Sequence, residues 1–188
     1  MRVSRDQMAQ HRRRIIEAAS RAFRARGFER SGVADIMGDA GLTHGGFYGH
    51  FASKLDLEAE ACAVAMATGA ARWTTLIDES PEDALSSIIA GYLSERHRDS
   101  PATGCVIAAL GSEVAREGAD VRRAFTRGLS ERLDLLAQVV TGRSKTARRN
   151  RAVATMAAMA GAVMLARAVD DPGLSDEILN ATREAFSE

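Results

Sequence analysis

Leu42-Thr43-His44-Gly45-Gly46-Phe47-Tyr48-Gly49-His50-Phe51-Ala52-Ser53-Lys54 is too short, too polar and too rich in glycine to form a core of its own. It nevertheless carries three aromatics and two histidines. Thr43 is placed to cap a helix from His44 to about His50. Ser53 is placed to cap the next one, with Asp56 three residues later as its capping-box partner. Working back toward the N-terminus, Gly41 and Leu42 form a tight turn, preceded by a short helix capped by Ser31. That helix turns Val33, Ile36 and Met37 inward, and Gly38 weakens it. A longer helix from about Asp6 to Arg26 comes first, with Ile16, Ala19 and Phe23 on one face and Ile15 beside it. Gly27 is its natural C′ residue, and Phe28 folds back on the last turn. Met1 to Arg5 read as a mobile basic tail. A long helix, a short helix, a tight turn and another short helix make a helix-turn-helix arrangement.

The exposed face of the opening segment has the chemistry of a nucleic-acid reader. Gly45, Gly46 and Gly49 keep that face shallow, although each glycine weakens a helix by roughly 0.5–1 kcal/mol relative to alanine. His44 can donate or accept at a base edge, and a bare glycine lets the backbone approach a thymine methyl or a phosphate. Tyr48 offers its hydroxyl to a phosphate, as do Thr43, Lys54 and the amides at the helix starts. Phe47 and Phe51 are the core anchors. Two readings stand for His50, a linker between helix ends or a DNA contact. Arg12-Arg13-Arg14 is either solvated surface or a supplementary contact to the DNA backbone.

The charge distribution agrees. The chain of 188 residues has a formal net charge of zero, but the average conceals a split. Through Lys54, ten Arg and Lys stand against five Asp and Glu, and the remainder holds 15 against 20. A basic head on an acidic body presents positive charge to a polyanion at one end only. Hydrophobic residues make up 46% with only 5% aromatic and three prolines, which favours close-packed helices over sheets. Cys62 and Cys105 are too few for a disulfide framework. No signal-peptide pattern opens the chain, and the apolar run 152–166 is too short for a bilayer, so the expected location is cytoplasmic, with no membrane partner.

The fold expected is all-α with about nine helices, divided into a head at 1–54 and a helical body at 55–188. In the body, helices are expected from Leu55 to about Thr75, from Pro81 (after Ser80 as cap) to about Arg98, and from Thr103 or Gly104 to about Arg116. Others run from Asp120 to Val140, from Ala147 to Val169, and onward from a Ser175 cap. Phe125, Leu129, Leu133 and Leu136 form one stripe. Trp73 and Tyr92 each join a large apolar face to one hydrogen-bonding group, so they read either as core or as walls of a ligand pocket. Cys105 reads as buried and inert or as redox-sensing. His97 lacks ligand partners at recognisable spacing, so no metal is expected, and no cofactor motif is present. Nothing at catalytic spacing supports an enzyme. A helical protein-interaction module is the other alternative.

The span from Ile15 through Leu57 resembles the DNA-binding domain of the TetR (tetracycline-repressor-like) family of bacterial transcriptional regulators. The matching residues are Ile16-x-x-Ala19-x-x-x-Phe23, Gly27-Phe28, Ser31-x-Val33-x-Asp35-Ile36, Ala40-Gly41-Leu42-Thr43, Gly45, Phe47-Tyr48-x-His50-Phe51 and Ser53-Lys54-x-x-Leu57. The resemblance implies that Thr43, Tyr48 and Lys54 contact phosphates, and that residues around His44, Gly45, Gly46 and Gly49 face bases. Met37-Gly38 and Gly49 depart from the usual pattern, and the second makes the operator sequence harder to infer.

For the body the resemblance implies a small-effector cavity and a two-fold dimer through the last two long helices. Gly104 to Leu110, which contains Cys105, is similar to a segment that precedes a cavity-bordering helix; together with Trp73, Tyr92 and Phe125, Cys105 is a candidate ligand-binding residue for an apolar or aromatic effector. Met156, Ala160, Gly161, Met164, Ile178 and Thr182 are the candidate dimer residues, because small residues admit a close partner backbone and methionines fill irregular gaps. The function that follows is a homodimeric repressor, released by ligand from a palindromic, double-stranded operator.

Overall fold

Ser4 opens the first helix, α1 (Arg5–Arg26), through a full capping box in which its side chain and that of Gln7 exchange backbone contacts. This computed structural model describes residues 4–186. Ser4 and Arg5, expected in a basic tail, belong instead to the start of α1, and the rest of that expected tail, residues 1–3, lies outside the described residues. At the other end of α1, Gly27 has φ 86° and ψ 167°, a conformation nearly reserved for glycine. Its N–H donates to Phe23 O, and Phe28 lands on Phe23 with ring centroids 5.1 Å apart.

The second helix, α2 (Val33–Asp39), starts from Gly32 and not from a Ser31 cap. Ser31 is fully buried, and its hydroxyl donates to Gly27 O at 2.7 Å, tying the linker to α1 instead. Gly41, at φ 67°, ends α2 in a Schellman motif: its N–H donates to Gly38 O, and that of Leu42 to Met37 O. The segment His44–Gly49 is a 3₁₀ helix and not an α-helix. Three glycines in six residues disfavour the α form, and Thr43 makes no side-chain cap to nucleate it.

Ser53 then caps α3 (Lys54–Glu79) through Asp56 N–H, while the Asp56 carboxylate reaches back to Ala52 N–H, one residue short of a reciprocal box. Beyond it α3 runs unbroken through Gly69. That glycine is a crossing point, because a Cβ there would fall on the Arg132 guanidinium. At the other contact on the crossing, Gly128 lets the side chain of Met66 fill the place its own Cβ would take. The partner is α7 (Ala119–Val139), whose packing on α3 is the most extensive in the fold.

Between them lie α4 (Ala84–Tyr92), α5 (Glu95–Asp99), a 3₁₀ turn Pro101–Thr103 and α6 (Val106–Val114). Pro81 stands in a turn before α4, and the expected helix to Arg98 breaks at Leu93, where Ser94 caps α5 afresh. The last two are α8 (Lys145–Ala168) and α9 (Pro172–Phe186). The Asp171 carboxylate accepts from the N–H groups of Gly173 and Leu174 at the start of α9. Ser175 is not a cap: it is buried inside α9, and its hydroxyl donates to Ala166 O. α8 extends beyond the run 152–166 to 24 residues, long and apolar enough by length and composition to cross a membrane. Its packing on α9, α7, α6 and α5 accounts for much of that apolarity.

Two apolar clusters divide the chain. The first gathers Phe23, Phe28, Phe47, Phe51 and Leu57 of the head with Met66, Val106, Leu110 and Val121. The second gathers Trp73, Ile88, Tyr92, Leu136, Met159 and Leu179. Three long-range polar contacts fasten the head to α3 and α6. Phe28 N–H donates to Glu113 Oε2 at 2.8 Å, Lys54 Nζ donates to Phe28 O at 2.6 Å, and Arg12 pairs with Glu60.

Glu58, only 3% exposed, lies at this junction with Oε2 unpartnered and Lys54 Nζ 3.5 Å away. Burial raises its carboxyl above the ordinary 4.5, against the opposing pull of Lys54. The folded chain then holds this proton more tightly than the unfolded chain, so the glutamate's contribution to stability falls as pH rises above 4.5. Glu58→Gln is expected to melt higher than the parent at pH 7 and to lose that advantage toward pH 4.5. Calorimetry at the two pH values checks it.

Candidate nucleic-acid interface

The candidate reading face is built on two buried rings. Phe47 is 1% exposed and stacks on Phe51 with centroids 5.6 Å apart, so the 3₁₀ helix is pinned to the head core from below. Tyr48, next in sequence, then faces outward at 73% exposure, edge-on to Phe47. His44, Gly45 and Gly49 are exposed beside it, and a Cβ at either glycine would meet open space. Gly46 differs: a Cβ there would rest 3.7 Å from Met37 Cε, so it borders the core as well as the face. Thr43 is exposed, and its hydroxyl does not cap the 3₁₀ helix, which leaves it able to engage a phosphate.

Lys54 keeps about a third of its side chain exposed while donating to Phe28 O. Its ammonium has three donors, so a phosphate contact is compatible with that structural one. His50 is half-buried, with its ring 6.2 Å from that of His11 on α1. Burial, and then the neighbouring His11 and Arg12, hold its pKa below the usual histidine value. That position places it between α1 and the 3₁₀ helix.

The arginine cluster separates in space. Arg12 has a structural task that its sequence gave no sign of: it pairs with Glu60 on α3 and lies 4.7 Å above the Phe51 ring. Arg13 and Arg14 remain exposed, Arg14 reaching toward the Gly41 turn.

In the body, three of the four candidate ligand residues meet. Trp73 and Tyr92 have centroids 6.3 Å apart, and Cys105 closes the same cluster. Phe125 packs instead on the first cluster, near Gly111. Two surface clefts of about 430 and 460 Å³ lie elsewhere, the first between α4–α5 and α9 beside Asn180, the second along α7 at Arg123. Cys62 is buried and its thiol is pushed up to about 11, which leaves it unreactive. Among the described residues no group of three or more His, Cys, Asp and Glu is placed to hold a metal.

Of the candidate dimer residues, Met156 belongs inside. It is 2% exposed in the second cluster, because α8 turns Ala152, Met156, Met159, Val163 and Ala166 toward its own chain. Met164 lies on the opposite side at 49% exposure, with Val153 and Leu165 also exposed. Ala160 is half-buried between the two sides, and Gly161 lies on the outer side, where an added Cβ would meet open space. On α9, Ile178 and Thr182 are half-buried, and Leu174 is exposed.

Residues 15–61 match the family described as bacterial regulatory proteins, tetR family. The HTH-type transcriptional regulator TtgR of Pseudomonas putida is 44% identical over 57 residues, which are 30% of this chain and 27% of that relative's length. Two solved structures share the fold along nearly the whole chain. The reduced form of NemR from E. coli has a TM-score of 0.78 at 21% identity, covering 93% of this chain and 95% of that one. A TetR-family regulator from Agrobacterium tumefaciens has a TM-score of 0.78 at 23% identity, covering 95% and 98%. The exposed helix-turn-helix face and these matches agree: residues 15–61 carry the domain described as bacterial regulatory proteins, tetR family, on a chain whose overall fold is shared with the two solved structures.

Proposed function

We infer that the chain acts as a homodimeric repressor that binds a palindromic operator and is released by a small effector. The observation that carries this reading is the exposed face of His44, Gly45, Tyr48 and Gly49, held from beneath by Phe47 and Phe51. Residues 1–54 form the DNA-binding part and 55–188 the effector-binding and dimerising part. Thr43, Tyr48 and Lys54 take phosphates, with His50 beside them. His44 and the backbone at Gly45, Gly46 and Gly49 approach base edges.

One head reads one half-site, so a two-fold partner is needed to span successive major grooves about 34–36 Å apart. The apolar side of α8 and α9 supports that partner: Val153, Met164, Leu165 and Leu174 face outward around Gly161. The effector acts by preferring a dimer whose heads are spaced or rotated away from that register, and its effect is limited by its differential affinity for the two forms. Glu113 and Lys54 are the contacts through which α6 and α3 move the head.

Selection of genomic fragments by the purified protein tests the reading. Palindromic enrichment is expected, and its absence would sink specific repression. Tyr48→Ala should weaken binding roughly 10-fold on all sequences alike, since it removes a phosphate contact, whereas His44→Ala should change sequence preference. Tyr48 is largely exposed, so the melting temperature should hold. Fluorescence anisotropy on operator and scrambled duplexes separates the two outcomes.

A further inference from the structure

Arg132 is 3% exposed, and its guanidinium lies 4.4 Å above the ring of Trp73, in the space left by Gly69. No carboxylate among the described residues pairs with it. Its Nη1 faces only the Cys105 sulfur at 4.0 Å, and its Nε is buried without a partner. Tyr92 stands in the same cluster, buried, with its hydroxyl also unpartnered.

The surroundings add two further arginines, whose hydrogen bonds go to carbonyls and a hydroxyl. Arg24 directs its donors to the carbonyls of Ser20 and Gly104 and to the Ser20 hydroxyl. Arg167 directs its own to the carbonyls of Arg98 and His97. His97 Nε2 accepts from Cys105 N–H at 2.8 Å, so the proton sits on Nδ1 and is donated to Tyr92 O, which keeps the ring neutral. Cys105 is also the N-cap of α6, a helix of nine residues whose first turn has no side-chain cap. The guanidinium has only a weak sulfur acceptor and an unpartnered Nε, the phenol hydroxyl has no partner, and the first turn of α6 has no side-chain cap. An unpaired buried ion is strongly unfavourable, and so is an unmade buried hydrogen bond.

We propose that this cluster is an anion site that takes the carboxylate of a small apolar acid, with Arg132 and Tyr92 as its donors and the start of α6 as its electrostatic support. The carboxylate draws the guanidinium off the Trp73 face and accepts from Arg132 and from the Tyr92 hydroxyl. The apolar remainder of the acid takes the vacated place against Trp73, Ile88 and Leu133. The site rests on the ligand-release reading and names the chemical class of its effector. It also gives Gly69 a purpose, as the position on α3 that lets Arg132 wait in the ligand's place.

Trp73 is the chain's single tryptophan, so its emission reports the guanidinium leaving its ring. The full-length protein is titrated with benzoate, naphthoate and straight-chain alkanoates, each against its uncharged amide. At least one acid should change Trp73 emission saturably and bind roughly 10-fold or more tightly than its amide. Arg132→Met should abolish that preference while melting no lower than the parent, because it removes an unpaired buried charge. Tyr92→Phe should weaken the acid by roughly 3- to 10-fold, and it decides the matter should Arg132→Met fail to fold. The site is overturned if no acid outbinds its amide, or if the preference survives both substitutions. An acid that binds without releasing operator DNA retains the site and removes the release reading. Release by uncharged compounds alone does the reverse.

Discussion

A Gly161→Arg chain is expected to fold, to sediment as a monomer and to lose operator affinity by roughly 10²–10⁴-fold. Within one chain the substitution is harmless. A Cβ at Gly161 meets open space, and arginine favours a helix over glycine by up to about 1 kcal/mol. Across a two-fold interface it is not. Gly161 lies among Val153, Ala157, Met164 and Leu165 on the outer side of α8, where the proposed partner's backbone would come close. A stable interface there needs about 1,200–2,000 Å² of complementary surface, and two copies of a buried, unpaired arginine would oppose it. Analytical ultracentrifugation gives the mass, circular dichroism the fold, and anisotropy the affinity. A variant that stayed dimeric with full affinity would place the interface elsewhere. Met156 cannot serve in this test, because it is a core residue and its loss would unfold what it was meant to probe.

Phe47→Ala is expected to lower the stability of the head by about 3–5 kcal/mol and to abolish operator binding. The ring is 1% exposed between Phe51 and the base of Tyr48, and it is what holds a glycine-rich 3₁₀ helix in place. A short helix with three glycines has little stability of its own, so losing the anchor frees the whole reading face. The second cluster, around Trp73 and Leu136, does not include Phe47, so the dimer should persist. Urea titration should show an early transition, and hydrogen exchange should place it in residues 28–57. An unchanged melting profile together with unchanged affinity would mean that the anchor has been misidentified. Tyr48→Ala is the contrasting case, with affinity reduced on a stable fold.

These two substitutions also mark where residue patterns suffice. Phe47, Phe51, Phe28 and Ile36 are legible as a core because they lie close along the chain, at helical spacing between strong punctuation by Gly27, Gly41 and Ser53. The caps were less legible. Ser31 and Ser175 have the right residue type before a helical pattern, yet each hydroxyl donates to a carbonyl across a packed junction. The 3₁₀ form of the reading helix follows from glycine content, but a cap residue at Thr43 suggested an ordinary helix. Arg132 did leave a trace: it falls on the apolar stripe between Leu129 and Leu136, where a charge is out of place.

The sequence by itself determined that the chain is helical, that it carries a helix-turn-helix head, and which side chains of the reading segment face out. All three depend on contacts and periodicities within a few turns of chain. Tertiary structure alone decided which side of α8 is core. That helix has apolar residues on both sides, and periodicity gives angular positions without saying which side meets α7 and α9. It also decided where the charges go. Arg12 pairs 48 residues away with Glu60, and Phe28 N–H finds Glu113 85 residues away. Such partners are chosen by proximity and by the need to satisfy each buried polar group, neither of which is encoded in local spacing.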